Sequence, residues 1–254
     1  MPAYYDQSAY TARFEWGLAG VQRLGADADV LVIVDVLSST TVMNLAAERG
    51  ALLLPYRWQD ASAVDYAREQ GAQLAAHRAE VSAERPYSLS PPTWLNVPAG
   101  ARVVLPSPNG ANLAFAARDA GAVVLAGCLR NASAVARAAQ HLSTSTGQRI
   151  LVIAAGERWD DADERSLRPA LEDLLGAGAI LAALSPASRS PEAHAAVAAF
   201  EAVRNDLAAT LDGCSSGRQL YERGYGQDVT VSAEFDVSTA VPILRERAFE
   251  RWQG

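Results

Sequence analysis

In the stretch VIVDVLSSTT, residues 32–41, a run of apolar residues ends on the carboxylate of Asp35, and hydroxyl residues follow from Ser38 to Thr41. A charge closing a buried strand is costly unless it meets a cation, a metal ion or several N–H donors. Glu157 holds the matching place after LVIAAG, and Glu172 with Asp173 stands near the start of a helix that places Ser166 at its cap and Pro169 in its first turn. Carboxylates brought together at one sheet edge form a hard, oxygen-rich site that suits Mg²⁺ better than Zn²⁺. Helix starts at Ser39, Asn109 and Asn131 would add main-chain N–H groups that hold an anion. A plainer reading stands beside this one. Ser and Asn are favoured N-caps, and acids at a helix start complement its dipole, so each residue taken singly has a structural explanation.

Other chemistries are excluded. All 22 basic residues among the 254 are arginine, so neither a Walker-type phosphate loop nor a Schiff base is available, since both need a lysine ammonium. A formal charge of −7 argues against nucleic acid or an acidic membrane as partner. A phospho-aspartyl hydrolase would carry a second Asp at position 37, which is Leu37. A thiol phosphatase would carry an arginine six residues after its cysteine, but Cys128 is followed there by Ala134 and Cys214 by Leu220. His77, His141 and His194 stand apart without metal-ligand spacing. GLAG and LLGAGAIL neither follow an expected strand nor make a dinucleotide fingerprint. The N-terminal residues lack a secretory pattern, which makes the cytoplasm the expected location. The run from Leu174 to Leu184 is shorter than the ~20 residues of a bilayer span and reads as a buried helix.

The elements that must position these groups follow one rhythm: a short apolar run, a polar turn, then an alanine-rich amphipathic stretch. DVLVIV, ALLLPY, RVVLPS, AVVLAG and RILVIAAG read as strands, each leading into a helix. Continuous apolar strands imply a layered α/β/α fold with a mainly parallel or mixed sheet covered on both faces. Gly50, Gly71 and Gly121 are placed to end helices in the left-handed conformation. After Ser190 the pattern turns helical. We therefore expect one α/β domain over 1–254, with 191–254 a helical extension that covers the site or forms a homodimer surface. Ligands of open α/β sheets bind beyond the carboxyl ends of the strands. That brings Asp35, Asn109, Arg130, Asn131 and Glu157 to one edge if the sheet is parallel.

In this order and spacing, VDVLSSTT, PSPNGAN, AGCLRNASAVA and LEDLLGAGAI resemble the 2-phosphosulfolactate phosphatase family. The likeness runs from about Val30 to Leu184 and continues faintly into SGRQLYERG and VPIL. It implies a magnesium-dependent hydrolase that removes phosphate from 2-phospho-3-sulfolactate, a step toward coenzyme M. Carried over by residue, it implies the strand-end acid at Asp35, hydroxyls at Ser39, Thr40 and Thr41, the Asn-Gly turn at Asn109 and Gly110, the amide at Asn131 and the acidic pair at Glu172 and Asp173. The family often has an arginine shortly after Asp-Val-Leu, where this chain has Ser38, and its Gly-Glu-Arg segment matches AHR, with Arg78 in the arginine's place.

The resulting expectation is metal-assisted hydrolysis of a small anionic phosphate monoester. Asp35 would hold Mg²⁺ with one or more of Glu157, Glu172 and Asp173, and Glu157 is the second choice, after a metal-activated water, for activating the nucleophile. Arg78, Arg130 or Arg158 would bind the carboxylate or sulfonate of the substrate. Two alternatives stay open: a phosphatase for another small phospho-acid, and a catalytically silent protein that binds a small molecule.

Overall fold

The computed structural model describes residues 4–143, 149–159, 166–185 and 188–254. The chain opens with strand β1 (Ala12–Trp16) and helix α1 (Gly17–Leu24), then β2 (Val30–Val34), α2 (Ser39–Glu48), β3 (Leu52–Tyr56) and α3 (Ser62–Glu69). Next come β4 (Gln73–Leu74), β5 (Arg102–Pro106), α4 (Pro108–Asp119), β6 (Val123–Gly127), α5 (Ala132–Leu142) and β7 (Ile150–Ala154). A short hairpin, β8 (Glu157–Arg158) with β9 (Leu167–Arg168), precedes α6 (Leu171–Ala183). Four further helices, α7 (Pro191–Val203), α8 (Leu207–Gly213), α9 (Ser215–Glu222) and α10 (Gly226–Ser232), lead to strands β10 (Pro242–Arg245) and β11 (Ala248–Arg251).

Nine of these strands form one mixed sheet in the order β1-β7-β2-β6-β10-β11-β3-β5-β4. The β1, β7, β2 and β6 neighbours are parallel, as are β3, β5 and β4. Every residue of β2 is buried, and its side chains alternate between two cores. Val30, Val32 and Val34 face the layer of α5, α6 and the C-terminal helices, while Leu31 and Ile33 face α1, α2 and α4. A strand covered on both faces has no solvent side, which is why VLVIV reads as an unbroken apolar run. Each such side chain contributes about 1.5–3 kcal/mol by leaving water. The expected layered α/β/α architecture is therefore observed.

Gly50, Gly71 and Gly121 carry φ of 73°, 56° and 91° just past α2, α3 and α4, as helix-ending glycines should. Other expectations are corrected. GLAG does follow a strand, β1, although the glycine fingerprint is still missing. Helix α6 begins at Leu171 after Ala170, so Ser166 does not cap it and Pro169 lies outside it. The segment after Ser190 is not helical throughout. Its last strands form an antiparallel hairpin inside the sheet, with Ile243 opposite Leu125 of β6 and Phe249 opposite Leu53 of β3. Each strand of the hairpin has four residues and the charged turn Glu246-Arg247 lies between them, too short a pattern for periodicity to show. Among the described residues no helix is long and apolar enough to cross a membrane.

Candidate active site

The loop between β2 and α2 is tied down by its own hydroxyls. Thr40 Oγ1 donates to the Asp35 carbonyl at 2.8 Å and accepts from the Asp35 N–H at 3.0 Å, while Thr41 Oγ1 donates to the Val36 carbonyl at 2.8 Å. Both threonines are fully buried, so their hydroxyls shape the turn. The Asp35 carboxylate accepts from the Ser39 N–H at 3.2 Å. Ser39 is the first residue of α2 and its side chain caps nothing; its buried hydroxyl has no hydrogen-bond partner among the described residues. Asn109 is likewise inside the first turn of α4, without a side-chain capping bond. For these residues the capping explanation fails.

A cavity of about 300 Å³ opens at this edge, lined by Asp35, Leu37, Ser38, Ser39, Arg78, Leu89, Ser107, Asn109, Glu157 and Arg158. The turns after β2, β5 and β7 thus meet. The N-terminal turn of α4 approaches α2 so closely that a Cβ on Gly110 would collide with Ser39 Oγ. Asn109, Glu157 and Arg158 also border a wider groove of about 770 Å³ whose wall includes Arg168, Arg218 and Arg223. Negative and positive groups therefore share one opening.

The carboxylates are crowded. Burial pushes the Asp35 carboxyl up to about 6, helped by the charge of Glu172 and opposed by the Ser39 N–H and Arg78. Glu157 is raised to about 7 by burial, then by Asp35 and Glu172, with Arg168 opposing. Asp173 is raised well above the ordinary carboxylate range by burial and by Asp35 and Glu172. Yet Asp173 has its own work: Oδ1 accepts from the Val36 N–H at 2.8 Å and Oδ2 from the Gly156 N–H at 2.9 Å. It clamps the two loops that carry Asp35 and Glu157. Glu172 is 2% exposed and accepts from the Cys214 thiol at 3.4 Å. Both cysteines are poor nucleophiles, since burial lifts each thiol to about 11.

Two sequence candidates lie away from the cavity. Arg130 donates from Nε to Asn44 at 3.2 Å and from Nη2 to Glu48 at 3.3 Å, and it also pairs with Glu234. Asn131 accepts from the Cys128 N–H at 2.9 Å and donates to the Ala240 carbonyl at 3.0 Å. Together with Asn44 they hold the segment entering β10. Arg78, by contrast, stands on the cavity wall. Its Nη2 donates to Ser38 Oγ at 2.9 Å and to the Leu89 carbonyl at 3.0 Å, and its Nε donates to Asp228 at 2.9 Å. Asp228 escapes sequence reasoning because it sits in a segment without a motif, whereas Ser90 lies in SLSP, Ser88 to Pro91, the counterpart of the Gly-Asn-Ser-Pro turn in the family that the sequence resembles. The one local signal, an acid in the first turn of α10, is what any helix offers.

The fold and this edge define a class: a layered α/β protein that gathers acids and arginines at one opening beyond the strand ends. A profile of the 2-phosphosulpholactate phosphatase family matches residues 21–247. The protein of Gloeobacter violaceus named "Probable 2-phosphosulfolactate phosphatase" is 28% identical over 223 residues, covering 84% of this chain and 87% of that one. The chain belongs to the 2-phosphosulpholactate phosphatase family, and so to the phosphoric monoester hydrolases.

Proposed function

We propose that this chain hydrolyses 2-phospho-3-sulfolactate to 3-sulfolactate and phosphate in a reaction that depends on Mg²⁺. One observation carries the reading: Asp35 and Glu157, both with raised carboxyl pKa, share a cavity wall with Arg78 and Arg158. Family membership and the name of the Gloeobacter violaceus relative support the choice of substrate.

The residues fit a hard divalent ion. Asp35 and Glu157 face the cavity, Glu172 lies close enough to raise both of their pKa values, and each would be stabilised as an anion by a cation. Among the described residues no three His, Cys, Asp or Glu side chains form a group that would hold a metal by itself. Mg²⁺ keeps several waters and takes one or two carboxylates plus phosphate oxygens, so two carboxylates at the cavity are donors enough for it. Asp35 would hold it, assisted by Glu157 or Glu172, with Asp173 committed mainly to its two amides. When bound, the ion supplies Lewis-acid neutralisation of phosphoryl charge.

The remaining tasks fall to this chain's own groups. The Ser39 hydroxyl and the N–H groups opening α4 cradle phosphoryl oxygens, while the first N–H groups of α2 hold Asp35 in place. Arg78 and Arg158 hold the carboxylate and sulfonate of the substrate. The family's arginine is absent at Ser38, but the guanidinium of Arg78 reaches Ser38 Oγ, so positive charge stands at that point all the same. Glu157, poised near neutrality, takes a proton from the attacking water as the water oxygen bonds to phosphorus and the ester P–O bond breaks, and the departing alkoxide takes a proton from solvent to become the hydroxyl of 3-sulfolactate. Phosphate release with and without Mg²⁺, for the natural sequence and Asp35→Asn, tests this. We expect Mg²⁺-dependent turnover that the variant lowers by about 10²-fold or more; unchanged turnover in Asp35→Asn would refute the assignment.

A further inference from the structure

Arg78 and Asp228 are joined across most of the chain. The side chain of Arg78 is 22% exposed and that of Asp228 only 1%. The exposed end of the pair lies on the cavity wall while the other is sunk in α10. Burial raises the Asp228 carboxyl, and the Ser90 hydroxyl and Arg78 oppose that rise. Ser90 Oγ donates to Oδ1 of Asp228, and Arg78 Nε donates to Oδ2 at 2.9 Å. With Nη2 donating to Ser38 and Leu89, the guanidinium plane is held at two of its three nitrogens. Nη1 has no hydrogen-bond acceptor among the described residues. The Tyr225 ring, 5.8 Å from the guanidinium carbon, closes another side.

A guanidinium recognises anions by the fixed fork of its N–H groups, so its orientation matters as much as its charge. A buried aspartate that loses its arginine is left an uncompensated ion, so each partner holds the other in place. We propose that Asp228, steadied by Ser90, is a positioning residue that aims Arg78 at an anionic group of the ligand in the cavity. Helix α10 thereby contributes to the site without touching substrate. This deepens the phosphatase reading and rests on it only for the identity of the ligand.

The test combines phosphate release from 2-phospho-3-sulfolactate with Mg²⁺, calorimetric titration of inorganic phosphate, and thermal melts. In Asp228→Asn we expect KM to rise about tenfold or more and phosphate to bind correspondingly less tightly, while kcat changes less than about threefold. In an Arg78→Lys background, Asp228→Asn should add less than about twofold, because its route of action is already cut. Wild-type KM and phosphate affinity in Asp228→Asn would overturn the proposal, and so would an equal penalty in the Arg78→Lys background. If Asp228→Asn does not fold, Ser90→Ala takes its place: a KM rise of about two- to fivefold supports the assignment and an unchanged KM overturns it. If the natural chain leaves 2-phospho-3-sulfolactate intact, the substrate reading falls, and the phosphate titrations still decide the role of Asp228.

Discussion

Asp35 and Glu157 leave neighbouring parallel strands, β2 and β7, and line one cavity, where the charge of Asp35 helps lift the Glu157 carboxyl to about 7. Two acids made less acidic by burial and by their neighbours are an arrangement that a hydrolytic site uses and a merely structural edge would avoid.

Glu157 should therefore govern the acid limb of activity. Its ionised form is the base, so kcat/KM is expected to rise with pH and then level off, with a midpoint below the about 7 of the metal-free protein because a bound cation favours the anion. Glu157→Gln should abolish that rise and lower kcat by about 10²- to 10⁴-fold. A pH–rate profile that survives the substitution would remove Glu157 from the mechanism.

Stability should run the other way. The folded Asp35 and Glu157 carboxyls titrate at about 6 and 7, against ordinary values of 3.8 and 4.5. Between the ordinary and raised values the folded state keeps protons that the unfolded state has released, so stability falls as pH climbs from about 4 to 7 and flattens above. Mg²⁺ binds the ionised form and should raise Tm at pH 8 far more than at pH 5. Calorimetric melts of the metal-free protein and of Asp35→Asn check this. The variant should show a shallower fall, and equal slopes would count against the assignment.

Asp173 should act on structure first. Asp173→Ala strands the buried N–H groups of Val36 and Gly156, at a cost of about 1–3 kcal/mol each. Tm is expected to drop by several degrees, with faster hydrogen exchange at both amides. Native exchange at Val36 and Gly156 would contradict the clamp.

Gly110→Ala separates packing at the site from general stability. Alanine is favoured over glycine inside a helix by about 0.5–1 kcal/mol. Here, however, the new methyl would meet Ser39 Oγ and come within 3.3 Å of Ser107 Oγ. We expect Tm to change little while kcat/KM falls by about tenfold, from displacement of the Ser39 hydroxyl. Full activity would show that this hydroxyl is not used.

Strands β2, β3, β5, β6 and β7 and the helices that follow them were legible because each buried strand leaves an apolar signature, and α2, α3 and α4 also end at a glycine. The β1–α1 unit was missed because ARFEW mixes charge with aromatics. Arg13 is nevertheless buried, its guanidinium bonded to Asp27 and to main-chain carbonyls of Asp6 and Asp27. Asp35, Ser39, Asn109 and Glu157 were readable as polar residues at strand ends. Arg130 and Asn131 looked the same in sequence, and only their partners, Asn44, Glu48, Glu234 and Ala240, reveal that they hold β10 instead.

By itself, then, the sequence determined the layered α/β plan, the exclusion of lysine and thiol chemistry, and the sheet edge that carries the polar turns, because hydrophobic period and residue type act locally. Tertiary structure alone decided which polar turns meet, that Asp173 spends both oxygens on amides, and that Asp228 reaches Arg78. Those outcomes depend on the packing of α6 against the loops after β2 and β7 and on the packing of α10 beside Arg78. Contacts of that kind carry no periodic signal, since they join segments whose separation along the chain says nothing about their separation in space.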